Sequence, residues 1–271
     1  MLMPELPEVQ TIINTLRPRI IGREIRFVDL RRADILQPAG FDLAKALRGK
    51  RVADITRRGK RLVFSLSDAN RFYVHLGMSG RLTIDSPDQP LASHTHLLIK
   101  FTGFELRFRD PRRFGGVWWL GTNSSDDRMG PEPLTLGPKQ LLGRLHRTRR
   151  AIKNALLDQH VVAGLGNIYV DESLFQARIH PLTPANTLTR EQADRLNRAI
   201  KLTLRRALKH RGSTLRDYVD AEGGAGAFQN LHLVYDREGL PCTTCKSPIQ
   251  RIVLGGRSTC FCLNCQPELK V

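Results

Sequence analysis

The stretch ArgLeuValPheSerLeu (61–66), SerAspAlaAsn (67–70), ArgPheTyrValHisLeu (71–76), GlyMetSerGly (77–80) decides how the first half of the chain folds. Two runs rich in β-branched and aromatic residues flank a cluster of turn formers, the pattern of successive strands. Moving outward, the pattern recurs. ArgValAlaAspIle (51–55) precedes it, and LeuLeuIleLysPhe (97–101), PheGluLeuArgPhe (104–108) and ValTrpTrpLeu (117–120) follow, with Gly, Asp, Asn and Pro between the runs. Short strands spaced this way from about 24 to 120 predict a sandwich or barrel. Upstream, Val9, Ile12, Ile13 and Leu16 share one face of an amphipathic helix, which Pro18 is expected to end or bend.

Downstream, ThrAsnSerSerAspAsp (122–127), followed by GlyProGluPro (130–133), reads as a linker and boundary. From about 137 the chain turns helical, with helices predicted at 138–146, 149–158, 167–178 and 189–210. A capping box, Thr189 to Gln192, opens the last of these. ValAlaGlyLeuGlyAsn (162–167) is a glycine-rich turn leading into a helix, and the glycine-rich 220–230 segment reads as a mobile loop.

Lysine and arginine number 43 against 26 aspartates and glutamates, a formal net charge of +17. A balance that basic predicts a polyanionic partner, nucleic acid ahead of an anionic membrane surface. No apolar run reaches the ~18 residues of a membrane span. The first residues lack the apolar core of a signal peptide. The expectation is a cytoplasmic protein with no membrane partner.

All five cysteines lie between Cys242 and Cys265. Cys242-x2-Cys245 and Cys262-x2-Cys265 are two knuckles, each able to bring two thiolates to one ion. Four thiolates make a closed tetrahedral site with no open position, so one structural Zn²⁺ is expected. A segment this short has little core, and the metal supplies most of its folding energy. The register Cys260-x-Cys262 is too tight for a knuckle, so Cys260 is expected in a strand and not as a ligand. Arg251 and Arg257 nearby suit phosphate or base contacts.

MetProGluLeuProGluVal (3–9) carries a chemical possibility. With Met3 removed, Pro4 becomes a secondary amine with Glu5 beside it. An α-amino group, with a pKa of about 8, keeps a useful fraction uncharged near neutrality, whereas a lysine must first be desolvated. The plainer reading of the same residues is a proline-rich helix start.

Taken in order, ProGluLeuProGluVal (4–9), LysArgLeu (60–62), HisLeuGlyMetSerGly (75–80), AspProArgArgPheGly (110–115) and GlyProGluPro (130–133) resemble the bacterial formamidopyrimidine-DNA glycosylases. AlaIleLys (151–153), GlyLeuGlyAsnIleTyr (164–169), GluSerLeuPhe (172–175), ArgIleHisPro (178–181), the cysteine framework and GlyGlyArgSerThr (255–259) extend the resemblance over almost the whole chain. Three departures stand out. Met1-Leu2 precedes the family's start, so that initiation at Met3 is expected. Gln10 replaces a common acid, and Cys260 replaces an aromatic residue.

The resemblance implies an α+β multidomain fold. It comprises an N-terminal β-sandwich with a leading helix (1–130), a helix–two-turn–helix DNA-binding domain (131–232) and a C-terminal zinc finger (233–271). DNA would run between the two halves. It further implies a monomeric base-excision-repair glycosylase with AP lyase (β,δ-elimination) activity. Such an enzyme removes 8-oxoguanine and formamidopyrimidines from duplex DNA containing damaged bases or abasic sites, on the bacterial nucleoid. Pro4 would be the nucleophile, Glu5 the proton donor and Lys60 a cation by the phosphate or base. Met78, Arg112 and Phe114 would fill the void left by an extruded nucleotide. His75, Lys153, Asn167, Tyr235 and Arg257 would contact DNA, and Glu8 would orient ligands or offset the helix dipole. Two alternatives stay open: a non-catalytic zinc-finger protein that binds damaged DNA, if Pro4 is not the first residue, and an endonuclease VIII-like glycosylase for oxidised pyrimidines.

Overall fold

A computed structural model of the chain describes residues 3–122 and 128–268. Met1-Leu2 and nearly all of the expected linker at 122–127 lie outside the described residues. The described chain forms two compact units, 3–122 with 210–227 and 128–209 with 228–268.

The first unit opens with α1 (Leu6–Ile20), whose buried stripe includes Val9, Ile12, Ile13, Leu16 and Ile20. The helix runs through Pro18 rather than ending there. Pro18 lies in the last turn on the solvent side, where the one hydrogen bond it forgoes, to Asn14, falls at an exposed carbonyl. Then follow β1 (Phe27–Leu30), β2 (Leu36–Gln37), α2 (Leu43–Leu47), β3 (Val52–Arg58), β4 (Arg61–Leu66) and β5 (Arg71–His75). After these come β6 (Arg81–Asp85), β7 (Thr95–Phe101), β8 (Phe104–Arg109) and β9 (Gly116–Gly121).

The strands make a sandwich of two sheets, ordered β1-β7-β8-β6 and β2-β9-β5-β4-β3. Alternation sets the register: Leu62, Phe64 and Leu66 of β4 point inward, and Phe64 stacks on its cross-strand partner Phe72 with ring centroids 4.6 Å apart. The opening stretch thus contributes a hairpin to the five-stranded sheet. Its last residues, 76–80, then carry the chain across to β6 in the other sheet. The chain returns through 110–115, from β8 to β9. The two crossings are neighbours, because β5 pairs with β9 at His75↔Gly116 and β6 pairs with β8 at Arg81↔Arg109.

Residues 210–227 join this unit, although the sequence pattern groups them with the helical domain. The reason is burial: Tyr218 and Ala221 enter the core beneath α1 and the sheets. Nor is 220–227 a loose loop. The buried Asp220 carboxylate accepts N–H bonds from Glu222 and Gly224 and pairs with Arg211.

The second unit holds α3 (Pro138–Leu145), α4 (Ile152–Leu157), α5 (Asn167–Ala177), α6 (Arg190–Lys209) and a hairpin of β10 (Gln250–Leu254) and β11 (Arg257–Phe261). The helices fall where the periodicity puts them. α4 begins later than expected because Ala151 is held in an extended bridge with Pro184. The capping box of α6 is formed: Thr189 N–H donates to Gln192 Oε1 at 2.8 Å, and Gln192 N–H donates to Thr189 Oγ1 at 3.3 Å. No helix among the described residues is long and apolar enough to cross a membrane.

Candidate active site

Pro4 and Glu5 sit buried at the head of α1, with Glu5 2% exposed. Glu5 N–H donates to Glu8 Oε2 at 2.9 Å. The other Glu8 oxygen accepts Ser213 N–H at 2.8 Å. Gly212 permits this approach, since a Cβ there would stand 2.6 Å from Glu8 Oε1 and its φ is +79°. Beside it the Tyr218 hydroxyl donates to the Arg211 carbonyl at 3.1 Å; burial, and next the Glu8 charge, push its pKa up. Both Glu8 oxygens are therefore engaged by backbone N–H groups. This carboxylate holds the head of α1 against 211–218, which suits a strut better than a proton shuttle.

Lys60 lies buried in the two-residue turn between β3 and β4, where Gly59 (φ +57°) supplies the backbone conformation the turn needs. One strand over, His75 ends β5. Its Nδ1 accepts Gly77 N–H at 3.2 Å, which assigns the ring proton to Nε2. Burial, then Lys60 and Arg61, bring its pKa down to about 4, with Asp110 opposing. His75 is thus a neutral N–H donor near pH 7, fit to bind an anion and a poor base.

Because the folded value lies below the unfolded one, His75 supports the fold above pH ~6.5, and that support is lost as pH falls from ~6.5 to ~4. In an NMR titration its ring should change charge near pH 4; a midpoint near 6.5 would mean that the imidazole is solvated.

Met78 and the pair Arg112 and Phe114 ride on the two sheet crossings. Arg112 is exposed, Met78 is half-buried, and Phe114 is 58% exposed. Arg113, between them, is not presented in the same way. It takes a left-handed φ of +56° and pairs with Asp34 at 2.9 Å.

The second unit carries the other group. Asn167 begins α5, and its Nδ2 donates to the Ser258 carbonyl at 2.9 Å. Arg257 is exposed at the β10–β11 turn, beside Gly255 and Gly256, both at positive φ. Lys153 and Tyr235, expected as phosphate contacts, are instead buried. Lys153 is 0% exposed, its ammonium 2.7 Å from both the Ser258 carbonyl and Asp171 Oδ1. Burial pushes the Asp171 carboxyl up while Lys153 draws it back. Tyr235 packs edge-on against His232, with centroids 5.5 Å apart, and its N–H donates to Glu172.

The Sγ atoms of Cys242, Cys245, Cys262 and Cys265 lie within 4.8 Å of one another. Tetrahedral zinc with Zn–S of about 2.3 Å needs sulfurs about 3.8 Å apart. The Cys242–Cys265 and Cys245–Cys262 separations are 3.9 and 3.4 Å, so the four thiols fit one Zn²⁺. Cys260 stands in β11 and outside this cluster, and its N–H donates to Asp171 Oδ2 at 2.9 Å.

Sequence reasoning missed the acids that organise this scaffold. Glu172 accepts N–H bonds from Leu233, Val234 and Tyr235, and Asp171 binds Lys153 and Cys260. The available signal is two adjacent acids in α5, a helix whose residues from Ile168 to Phe175 are all buried.

Comparison with known proteins follows the same division. Residues 3–117 match the formamidopyrimidine-DNA glycosylase N-terminal domain, 129–219 the H2TH domain of that enzyme, and 239–267 the zinc finger found in FPG and IleRS. The formamidopyrimidine-DNA glycosylase of Aromatoleum aromaticum is 43% identical over 270 residues, covering 97% of this chain and 99% of the relative. That of Bacillus licheniformis is 43% identical over 278 residues, covering 98% and 100%. A Lactococcus lactis FPG variant in complex with Fapy-dG-containing DNA superposes with a TM-score of 0.93 at 37% identity, covering 98% of this chain and 100% of that one. The MutM (FPG) protein of Thermus thermophilus gives 0.89 at 39% identity, covering 98% and 99%. With its sandwich, its helical domain and its four-thiol finger matched in order and end to end, the chain belongs to the formamidopyrimidine-DNA glycosylase family.

Proposed function

We propose that this protein is a bifunctional DNA glycosylase and AP lyase that removes oxidised purines, 8-oxoguanine and formamidopyrimidines, from the DNA of the bacterial nucleoid. The observation that carries the reading is Pro4-Glu5, held at the head of α1 in a chain that matches this family along its whole length. Lactococcus lactis Fpg has been solved with Fapy-dG DNA and with abasic-site DNA, the substrate and intermediate of this chemistry.

The nucleotide is first extruded from the stack. Phe114 and Met78 enter the gap, and Arg112 hydrogen-bonds the widowed base. Lys60, His75, Asn167 and Arg257 hold phosphates by charge and N–H donation. In a chain that begins at Pro4, the neutral nitrogen attacks C1′. The C1′–N glycosidic bond breaks, the base leaves with its electron pair, and the proton that the Pro4 nitrogen gives up passes through solvent to the departing base. Glu5 delivers a proton to the ribose ring oxygen, the sugar opens, and an iminium joins Pro4 to C1′. The iminium acidifies C2′–H. Loss of that proton expels the 3′ phosphate, and a second elimination expels the 5′ phosphate. Lys153 and Tyr235, buried as they are, support the scaffold from within.

The test is excision. Protein beginning at Pro4 should release 8-oxoguanine and Fapy-guanine from duplex DNA and cut the strand on both sides, faster than it acts on oxidised pyrimidines. Binding without scission would favour the non-catalytic reading, and a pyrimidine preference the endonuclease VIII-like one.

A further inference from the structure

The two sheet crossings are fastened to each other by one carboxylate. Asp110, wholly buried, follows β8 and opens the second crossing. Its Oδ1 accepts the Ser79 hydroxyl, on the first crossing, at 2.5 Å, and Arg112 N–H at 3.3 Å. Its Oδ2 accepts Gly115 N–H at 2.7 Å. Its backbone is fixed as well: N–H to the His94 carbonyl at 3.0 Å, and the carbonyl to His96 Nε2 at 2.9 Å. Arg112 N–H also lies 3.3 Å from Ser79 Oγ.

The crossings touch backbone to backbone. A Cβ on Gly77 would stand 2.4 Å from Gly115 N, and one on Gly115 would stand 2.5 Å from the His75 carbonyl oxygen. Met78 lies between Gly77 and Ser79, while Arg112 and Phe114 lie within the span that Asp110 closes onto Gly115. On the far side Arg113 is tied to Asp34.

We propose that Asp110 is a positioning residue that welds the two crossings into one part, so that Met78, Arg112 and Phe114 meet DNA at fixed mutual spacing and Arg112 can read the base opposite the lesion. This rests on the glycosylase reading above. Phe114 and Met78 offer apolar surface, which fits beside any base. Arg112 alone among the three makes directional hydrogen bonds, and those require its backbone to stay where Asp110 and Ser79 hold it. Loosening the clamp should therefore cost discrimination more than insertion.

The experiment compares wild type, Asp110→Asn and Ser79→Ala, as full zinc-loaded chains beginning at Pro4. Single-turnover excision of 8-oxoguanine is measured opposite cytosine and opposite adenine. The Asp110→Asn change keeps the size of the side chain, but the one carbonyl oxygen of an amide cannot accept from both Ser79 and Gly115 as the two carboxylate oxygens do. Asp110→Asn should bring the ratio of the two rates toward one, a loss of about tenfold in whatever discrimination wild type shows, with a smaller loss for Ser79→Ala. A variant that merely folds less well loses both rates by the same factor and keeps the ratio. An unchanged ratio in Asp110→Asn overturns the clamp. Where Asp110→Asn gives no folded protein, Ser79→Ala decides by the same ratio. Should wild type excise neither substrate, the glycosylase reading fails first. The clamp is then judged by 2-aminopurine fluorescence opposite an abasic-site analogue, where Asp110→Asn must alter the change that wild type produces.

Discussion

Protein whose first residue is Pro4 should become covalently attached to abasic-site DNA when borohydride is present, and protein that retains Met3 or anything ahead of it should not. A proline nitrogen inside the chain belongs to an amide, and its lone pair is shared with the preceding carbonyl. It cannot attack C1′. The expected difference in excision of 8-oxoguanine is on the order of a thousandfold or more, the scale on which a removed nucleophile or proton donor registers. Glu5→Gln in the Pro4 form should cost about 10²–10⁴-fold in base release. Equal trapping by a chain shown by mass to keep residues 1–3 would end the proline mechanism.

Removal of the metal should be the next largest effect. Apparent binding energies of structural zinc are about 10–16 kcal/mol, far beyond what a hairpin of two five-residue strands holds by its own burial. Cys242→Ser should release zinc and disorder β10–β11. It would take with them the turn that presents Arg257 and the Ser258 carbonyl that Asn167 and Lys153 grip. DNA affinity should then fall by at least about tenfold, and its dependence on salt should become shallower as phosphate contacts go. Cys260→Ser should keep one zinc per chain. Metal analysis of the two proteins checks the assignment, and zinc lost from Cys260→Ser but kept by Cys242→Ser would reverse it.

The first half of the fold was legible because alternation is a local signal: Leu62, Phe64 and Leu66 announce an inward face without reference to anything distant. The four thiols were legible from spacing, and α6 from the cap at Thr189. What the sequence hid depends on pairing across long separations. A lysine after AlaIle reads equally as a phosphate contact or a buried cation, and only the packing of α4 against α5, which brings Asp171 to Lys153, decides between them. The same holds for 210–227, whose polar, glycine-rich composition conceals the two residues, Tyr218 and Ala221, that seat it in the core. The AspProArgArgPheGly motif drew attention to Arg112 and Phe114, the side chains that face outward. The aspartate that mounts them faces inward, and the hydroxyl that joins it to the other crossing, that of Ser79, lies 31 residues upstream.

That mounting has a mechanical side. A side chain that pries apart stacked bases works against a few kcal/mol over a few ångströms and feels an equal push in return. On a long free loop that push would bend the loop. Here each crossing is short, 76–80 and 110–115, and both ends run straight into paired strands. The load passes along the backbones of β5, β6, β8 and β9 and spreads through their ladders as compression. A probe built this way is stiff: under the same push it yields less than a free loop of equal length would.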